Sequence, residues 1–190
     1  MTGLKAALGR TVEVLRSEHI PYMVIGGIAN LVWGEARTTT DLDLTVDVDS
    51  IGVERFLPVA RRCGSPIPDD PLETAQRGRL VPVRTTEGIR IDFALAALPF
   101  ESEAIGRAKT VQALDVEFKV CTAEDLIIMK SVAPRPRDRT DVVGVLRRQG
   151  RTLDLARLDE ILEGLAEDIG RPEIAELWLA AKQAAGLAPG

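Results

Sequence analysis

From Asp41 to Val48 the chain alternates without a break, with Leu42, Leu44, Val46 and Val48 on one side and Asp41, Asp43, Thr45 and Asp47 on the other. Successive side chains of a strand point to opposite faces, so a period of two predicts a β-strand with one face in a core and one acidic face. Residues two apart stand about 6.6 Å from each other along a strand. Asp41 and Asp43 therefore project together, and Arg37 and Thr39 share their parity. A cation, a hydroxyl and two carboxylates are offered to one small volume.

A third acid, Asp92, lies between Ile91 and Phe93 in another strand-like run, Ile89 to Ala96. If the two strands are neighbours, three carboxylates converge. Two carboxylates ~6 Å apart at an effective dielectric of ~20 repel by roughly 3 kcal/mol, against a total stability of ~5 to 15 kcal/mol. Convergence thus demands a compensating cation. Carboxylates without histidine favour a hard ion, Mg²⁺ or Mn²⁺, and Mg²⁺ typically takes one or two carboxylates together with substrate phosphates. That combination points to phosphoryl or nucleotidyl chemistry. The competing reading makes Asp41, Asp43 and Asp47 the solvated face of an edge strand.

Composition narrows the chemistry further. The 190 residues contain one histidine, His19, and two cysteines, Cys63 and Cys121. Neither a Cys/His zinc site nor a histidine-dependent triad fits so few residues. Two isolated cysteines and no secretory leader suit a reducing cytoplasm. The longest apolar stretch, Ile89 to Phe100, is interrupted by Arg90 and Asp92 and falls short of a membrane span. The net charge of −5 excludes a broad basic footprint, so any nucleic-acid contact must be local. With two Trp, one Tyr and four Phe no base-stacking platform is visible. Trp33 and Trp178 are expected in the core, and Tyr22 to pack at a strand start.

The remaining pattern predicts a helix over 4–17, a strand over 22–25 ending at Gly26-Gly27, and a short helix over 28–33. A helix capped by Ser50 runs to about Cys63. Gly64 to Gly78, with Pro66, Pro68 and Pro71, is expected to be a surface loop. Strands 80–85 and 89–96 make a hairpin, and 111–114 with 116–121 a second one. Thr122 caps the next helix, with Asp125 as a variant capping box. After Pro134 to Pro136 come three helices, over 138–148, 154–169 and 171–186. Strands mixed with helices early and helices alone late imply an α+β fold: a mixed sheet flanked by helices, then a helical C-terminal part.

Gly26-Gly27, between strand and helix, lets the backbone approach a ligand and aims amides at an anion. Thirteen residues separate Gly27 from Asp41, room for a short helix and a return to an adjacent strand. Lys130 falls among Ala123, Leu126, Ile127 and Ala133 on a helix apolar nearly all round, so it either snorkels or points into a polar cavity. Asp141 follows eleven residues later and can orient that lysine or serve an acceptor. Asp138 is a candidate helix cap. Arg135, Arg137, Arg139, Arg147, Arg148 and Arg151 form a local basic cluster in an acidic chain. It is either a solvated pair of helix ends or a landing patch for a phosphorylated acceptor.

These motifs together resemble the DNA polymerase beta-like nucleotidyltransferase superfamily: Ile25-Gly26-Gly27, then Asp41-Leu42-Asp43-Leu44, then Ile91-Asp92-Phe93. The nearer likeness is to AbiEii-type toxins and their relatives. It rests on the run Arg37 to Asp43, on Glu124-Asp125-Leu126 with Lys130, and on Arg137-Asp138 with Asp141, and it covers about residues 20 to 146. The resemblance implies a nucleotidyltransferase core over 1–133 and a helical part over 134–190 packed on it as one unit. It implies an Mg²⁺- or Mn²⁺-dependent transfer of a nucleotide from a nucleoside triphosphate to a hydroxyl of tRNA, other RNA or protein. Asp41, Asp43 and Asp92 would be metal ligands and, with Lys130, catalytic residues. Gly26, Gly27, Arg37, Thr39, Lys130 and Asp141 would bind the nucleotide. A cognate antitoxin is an implied partner, RNA would use the arginines of 135–151, and no membrane is involved. Two alternatives stay open: an inactive nucleotidyltransferase-like binding module, and an antibiotic-type enzyme acting on a small molecule.

Overall fold

The computed structural model describes residues 2–67, 70–132, 135 and 137–187. The chain forms two compact units, one made of residues 1–28 and 38–121, the other of residues 29–37 and 122–190.

The first unit carries every strand among the described residues. They are β1 (Tyr22–Val24), β2 (Leu42–Val46), β3 (Ser65–Pro66), β4 (Leu80–Arg84), β5 (Arg90–Leu95), β6 (Lys109–Ala113) and β7 (Val116–Val120). They build one sheet in the order β3-β4-β5-β2-β1-β7-β6. The sheet is mixed: β2 runs parallel to β5 and β1 to β7, while the other neighbours are antiparallel. The α+β class is therefore the observed one. β2 is flanked on both sides, by β1 and β5, so the acidic alternation belongs to a central strand and not to an edge.

Three helices shape the core of this unit. α1 (Thr2–Ser17) buries Leu4, Ala7, Leu8, Thr11, Val12, Val14 and Leu15, the stripe that its 3.6-residue spacing requires. α2 (Gly26–Trp33) starts in this unit, and its first turn includes the glycines themselves. α3 (Val53–Cys63) follows Gly52 rather than Ser50 as its N-cap. Its Phe56 meets Phe93 of β5 edge to face, with centroids 5.4 Å apart and planes at 83°. The Phe93 side of the sheet is thus the core side, and the alternating burial of β5 puts Arg90, Asp92 and Ala94 on the other.

Two further helices were hidden by prolines. α4 (Pro71–Gly78) occupies the second half of the expected loop, with Asp70 as N-cap accepting from the Glu73 amide at 2.9 Å and Pro71 in its first turn. α5 (Pro99–Gly106) also starts at a proline. Its Glu101 carboxylate accepts from the Ala97 and Leu98 amides at 2.9 and 3.0 Å. Pro82 sits within β4, where its carbonyl accepts from Ile67 next to the two-residue β3. Its missing N–H thus falls on the side where the ladder is ending.

The second unit is helical: the latter part of α2, then α6 (Ala123–Val132), α7 (Asp138–Gln149), α8 (Leu155–Asp168) and α9 (Glu173–Ala185). α6 begins as expected, the Asp125 amide donating to Thr122 Oγ1 at 3.1 Å and that hydroxyl donating to the Asp125 carboxylate at 2.9 Å. Trp178 is fully buried and donates its indole N–H to Asp159 at 2.6 Å, which also accepts from Lys182 at 2.5 Å. Trp33 is only half-buried. No helix among the described residues is long and apolar enough to cross a membrane.

Candidate functional site

The glycine pair and the acidic strand interlock. β1 ends at Val24, and the Ile25 amide donates to the Asp43 carbonyl at 2.9 Å. The chain then turns through Gly26 at φ +62, a conformation that L side chains adopt only at a cost. A β-carbon on Gly26 would stand 2.1 Å from Asp43 Oδ2, and one on Gly27 would stand 2.2 Å from Thr39 Oγ1. No atoms pack that closely. The two glycines are required because a carboxylate and a hydroxyl from the segment 39–43 lie against the opening of α2, whose first amides have no partner within the helix.

Strand pairing supplies the third acid. Asp43 of β2 and Asp92 of β5 are register partners in a parallel ladder, where opposite residues share a face and strands lie about 4.8 Å apart. Both are half-buried. Asp41 lies just before β2, is exposed, and its Oδ1 accepts from the Thr40 hydroxyl at 3.1 Å. Residues 37–41 are not strand, so the parity expected from Arg37 to Asp43 does not hold the set together; contact with the glycines places Thr39 instead. Among the described residues, no group of three or more His, Cys, Asp or Glu side chains is arranged to hold a metal.

A protein side chain pairs with the Asp92 charge. Arg90 precedes Asp92 by two residues on β5, hence on the same face, and its Nε donates to both carboxylate oxygens at 2.8 and 2.9 Å. The signal is present in the sequence as Arg-x-Asp at the strand period, where Asp92 reads as a site acid and Arg90 only as a break in the apolar stretch.

Lys130, Asp138, Asp141 and Arg37 meet in the second unit. Lys130 Nζ donates to Asp138 Oδ1 at 2.5 Å and to Asp141 Oδ2 at 2.7 Å. Arg37 grips Asp141 with two parallel bonds, Nε to Oδ1 at 2.7 Å and Nη2 to Oδ2 at 2.8 Å. Lys130 does not snorkel: its side chain is 8% exposed, and that of Asp141 3%. Burial pushes the Asp141 pKa up, but the hydrogen bonds from Arg37 and Lys130 outweigh it and hold the carboxyl below its ordinary value. Asp138 also accepts from the Arg135 amide at 2.8 Å; it is the first residue of α7 and not its cap, the N-cap being Arg137 with no side-chain capping bond.

The arginine cluster divides. Arg147 donates to the Ala184 carbonyl at 3.2 Å and faces Glu35 at 3.6 Å, and Arg148 donates to the Gly34 carbonyl. All six are exposed, but of these only Arg147 and Arg148 are tied to neighbouring segments in this way.

Residues 4–171 match the model of a family described as nucleotidyl transferase of unknown function, DUF2204. The chain belongs to that family. It is a nucleotidyltransferase, and the fold agrees. The crystal structure of the lincosamide antibiotic adenylyltransferase LnuA, lincomycin-bound, matches with a TM-score of 0.55 at 13% identity, over 74% of this chain and 94% of that one. The solution structure of the antibiotic-resistance factor ANT(2'')-Ia matches with a TM-score of 0.56 at 14% identity, over 90% and 96%. No curated protein sequence matches the chain.

In this nucleotidyl transferase Gly26, Gly27, Thr39, Asp41, Asp43 and Asp92 belong to the first unit, while Arg37, Lys130 and Asp141 belong to the second. Within the first, pairing and close packing bring together Gly26 with Asp43, Gly27 with Thr39, and Asp43 with Asp92. Arg90 is the polar residue of this face that motif spacing passed over.

Proposed function

We propose that the chain transfers a nucleoside monophosphate from a nucleoside triphosphate to an acceptor hydroxyl, with Asp41, Asp43 and Asp92 as its reacting carboxylates. The observation that carries this is the interlock of Gly26 with the Asp43 carboxylate together with the in-register pairing of Asp43 and Asp92. A carboxylate half-buried in a central strand, beside a second one, is costly as scaffolding.

The donor set fits a hard divalent cation. Carboxylate oxygens without histidine or thiolate suit Mg²⁺ or Mn²⁺, and Mg²⁺ needs only one or two of them when phosphates complete its shell. Asp41, Asp43 and Asp92 would hold it, and bound there it would neutralise triphosphate charge. Gly26 and Gly27 would admit the triphosphate to the amides opening α2, with Thr39 beside them. Asp92 would accept the proton of the attacking hydroxyl. The acceptor oxygen forms a bond to the α-phosphorus, the bond from that phosphorus to the α,β-bridging oxygen breaks, and pyrophosphate leaves. Positioning and charge account for such catalysis without a covalent enzyme intermediate.

The acceptor we favour is RNA, tRNA included, met by the exposed arginines of 135–151, with protein as the other macromolecular choice. The Arg37 to Asp43 run and the Arg137, Asp138, Asp141 set support a toxin of the AbiEii type, acting in the cytoplasm and held by an antitoxin. A small-molecule acceptor is the second reading, favoured by the two structural neighbours whose names mark them as antibiotic-modifying or antibiotic-resistance proteins.

Purified protein is incubated with each α-labelled nucleoside triphosphate, Mg²⁺ and, in separate arms, total RNA, protein extract or hydroxylated antibiotics. Label transfer that Asp43→Asn reduces at least ~10³-fold is the expected result, the scale of losing a transition-state charge contact. Nucleotide binding without transfer in any arm would reject the enzyme reading for a binding module. Growth arrest on expression that Asp43→Asn abolishes would identify a toxin.

A further inference from the structure

The two ion-paired clusters differ in a way that bears on how the site takes up its metal. Lys130 and Asp141 are 8% and 3% exposed, whereas Arg90 and Asp92 are 38% and 22% exposed. A pair open to water is held weakly and exchanges partners readily. Arg90 reaches both oxygens of Asp92 with one shared N–H, which leaves the rest of the guanidinium available to another anion. Arg90 is also the register partner of Arg84 on β4, whose Nη1 donates to the Gly88 carbonyl at 3.0 Å.

We propose that Arg90 is the resident counter-cation of Asp92, a positioning residue that occupies Asp92 in the absence of nucleotide and makes divalent metal bind with the triphosphate rather than before it. The inference rests on the reading of Asp41, Asp43 and Asp92 as the metal-binding carboxylates. A bare Mg²⁺ or Mn²⁺ arriving alone must displace a positive group from Asp92 and offers that group nothing in return. A metal arriving with a nucleoside triphosphate brings phosphate oxygens, and a guanidinium pairs with phosphate as well as with carboxylate. Arg90 can then pass from Asp92 to the phosphates as Asp92 becomes available to the acceptor hydroxyl. The pairwise repulsion that would otherwise strain the empty site is neutralised throughout, and the acid is not exposed to adventitious metal.

The test is a titration of Mn²⁺ followed by electron paramagnetic resonance of the free ion, first without nucleotide and then with a non-hydrolysable ATP analogue. Arg90→Gln should bind Mn²⁺ about tenfold more tightly than the natural protein when nucleotide is absent, the scale of removing one nearby unit charge at a half-exposed site. The analogue should raise Mn²⁺ affinity less in R90Q than in the natural protein. Arg90→Lys, which restores the charge, should return affinity to within about threefold of the natural value. The surface variant Arg77→Gln, which removes an equal charge from an exposed α4 pair with Glu73, should change nothing. Adding Asp92→Asn to R90Q should cancel the gain. Arg90→Thr, a good strand former, serves in place of R90Q if that variant misfolds. Unchanged Mn²⁺ affinity in R90Q and R90T, with Asp43→Asn still weakening binding, overturns the role of Arg90 alone. Mn²⁺ binding that ignores Asp43→Asn with and without nucleotide overturns the metal site on which it rests.

Discussion

Lys130→Met puts the buried network of the second unit to a quantitative test. The substitution keeps most of the side-chain volume and removes the charge between Asp138 and Asp141, which lie 2.5 and 2.7 Å from the lysine nitrogen. At an effective dielectric of ~20 a contact of that length is worth ~6 kcal/mol of attraction before desolvation is counted. Breaking a buried pair typically costs a net 3 to 5 kcal/mol. Asp141 keeps its two bonds from Arg37, and Asp138 is partly exposed at 14%, so the lower end, about 3 kcal/mol, is expected. Both tryptophans, Trp33 and Trp178, lie in this unit, so urea unfolding followed by tryptophan fluorescence reports on it directly. The deficit should depend on pH. Because the Asp141 pKa is lowered in the folded chain, its stabilisation is complete above the unfolded carboxylate value of ~4 and fades as pH falls through the lower folded value. The difference between K130M and the natural protein should therefore shrink as pH falls below about 4. A loss under ~0.5 kcal/mol at pH 7 would refute the structural account. It would leave Lys130 as the phosphate contact that family resemblance implies.

The glycine pair gives a sharper test of the other unit. Gly26→Ala places a β-carbon 2.1 Å from Asp43 Oδ2 at φ +62, so Asp43 must shift by about 1 Å; nucleotide transfer should fall ~10²-fold, with a further ~1 kcal/mol lost from backbone strain. Gly27→Ala meets Thr39 Oγ1 at 2.2 Å without a positive φ, so Thr39→Gly in the same chain should restore most of the thermal stability that G27A loses; no recovery would show that Thr39 does not pack there. Burial pushes the Cys63 thiol up to about 11. Iodoacetamide at pH 8 should leave it unmodified in the folded protein and label it on unfolding, as mass spectrometry would read.

What the sequence made legible follows from the range of the forces involved. β2 was read from alternation because a half-buried strand writes its two faces at a period of two, and the Thr122 cap of α6 was read because capping is local. α4 is not legible from Pro66, Pro68 and Pro71 taken as a barrier to strands, although Asp70-Pro71 is an N-terminal helix signal, as is Pro99 with Glu101 for α5. Pro82 within β4 shows the limit of that rule: a proline is excluded where its absent N–H is needed, and β3 is too short to need it. The pairing of Lys130 with Asp141 is legible because eleven residues separate them, whereas the part of Arg37 is not, because it reaches a residue 104 positions away.

Arg90 marks the remaining gap between spacing and site. Motif patterns emphasise carboxylates because they carry the chemistry, yet two acids held in register on adjacent strands cannot be left uncompensated inside a folded chain. A cation has to be supplied, and the cheapest place for it is two residues along the same strand, where the pleat returns a side chain to the same face. Arg90 meets that requirement for Asp92. The same logic explains the glycines. They are small at 26 and 27 because Asp43 and Thr39 come back to lie on them, so the Gly-Gly pair and the acidic strand form one packed unit, and the spacing between them is the length of chain needed to leave that unit and return.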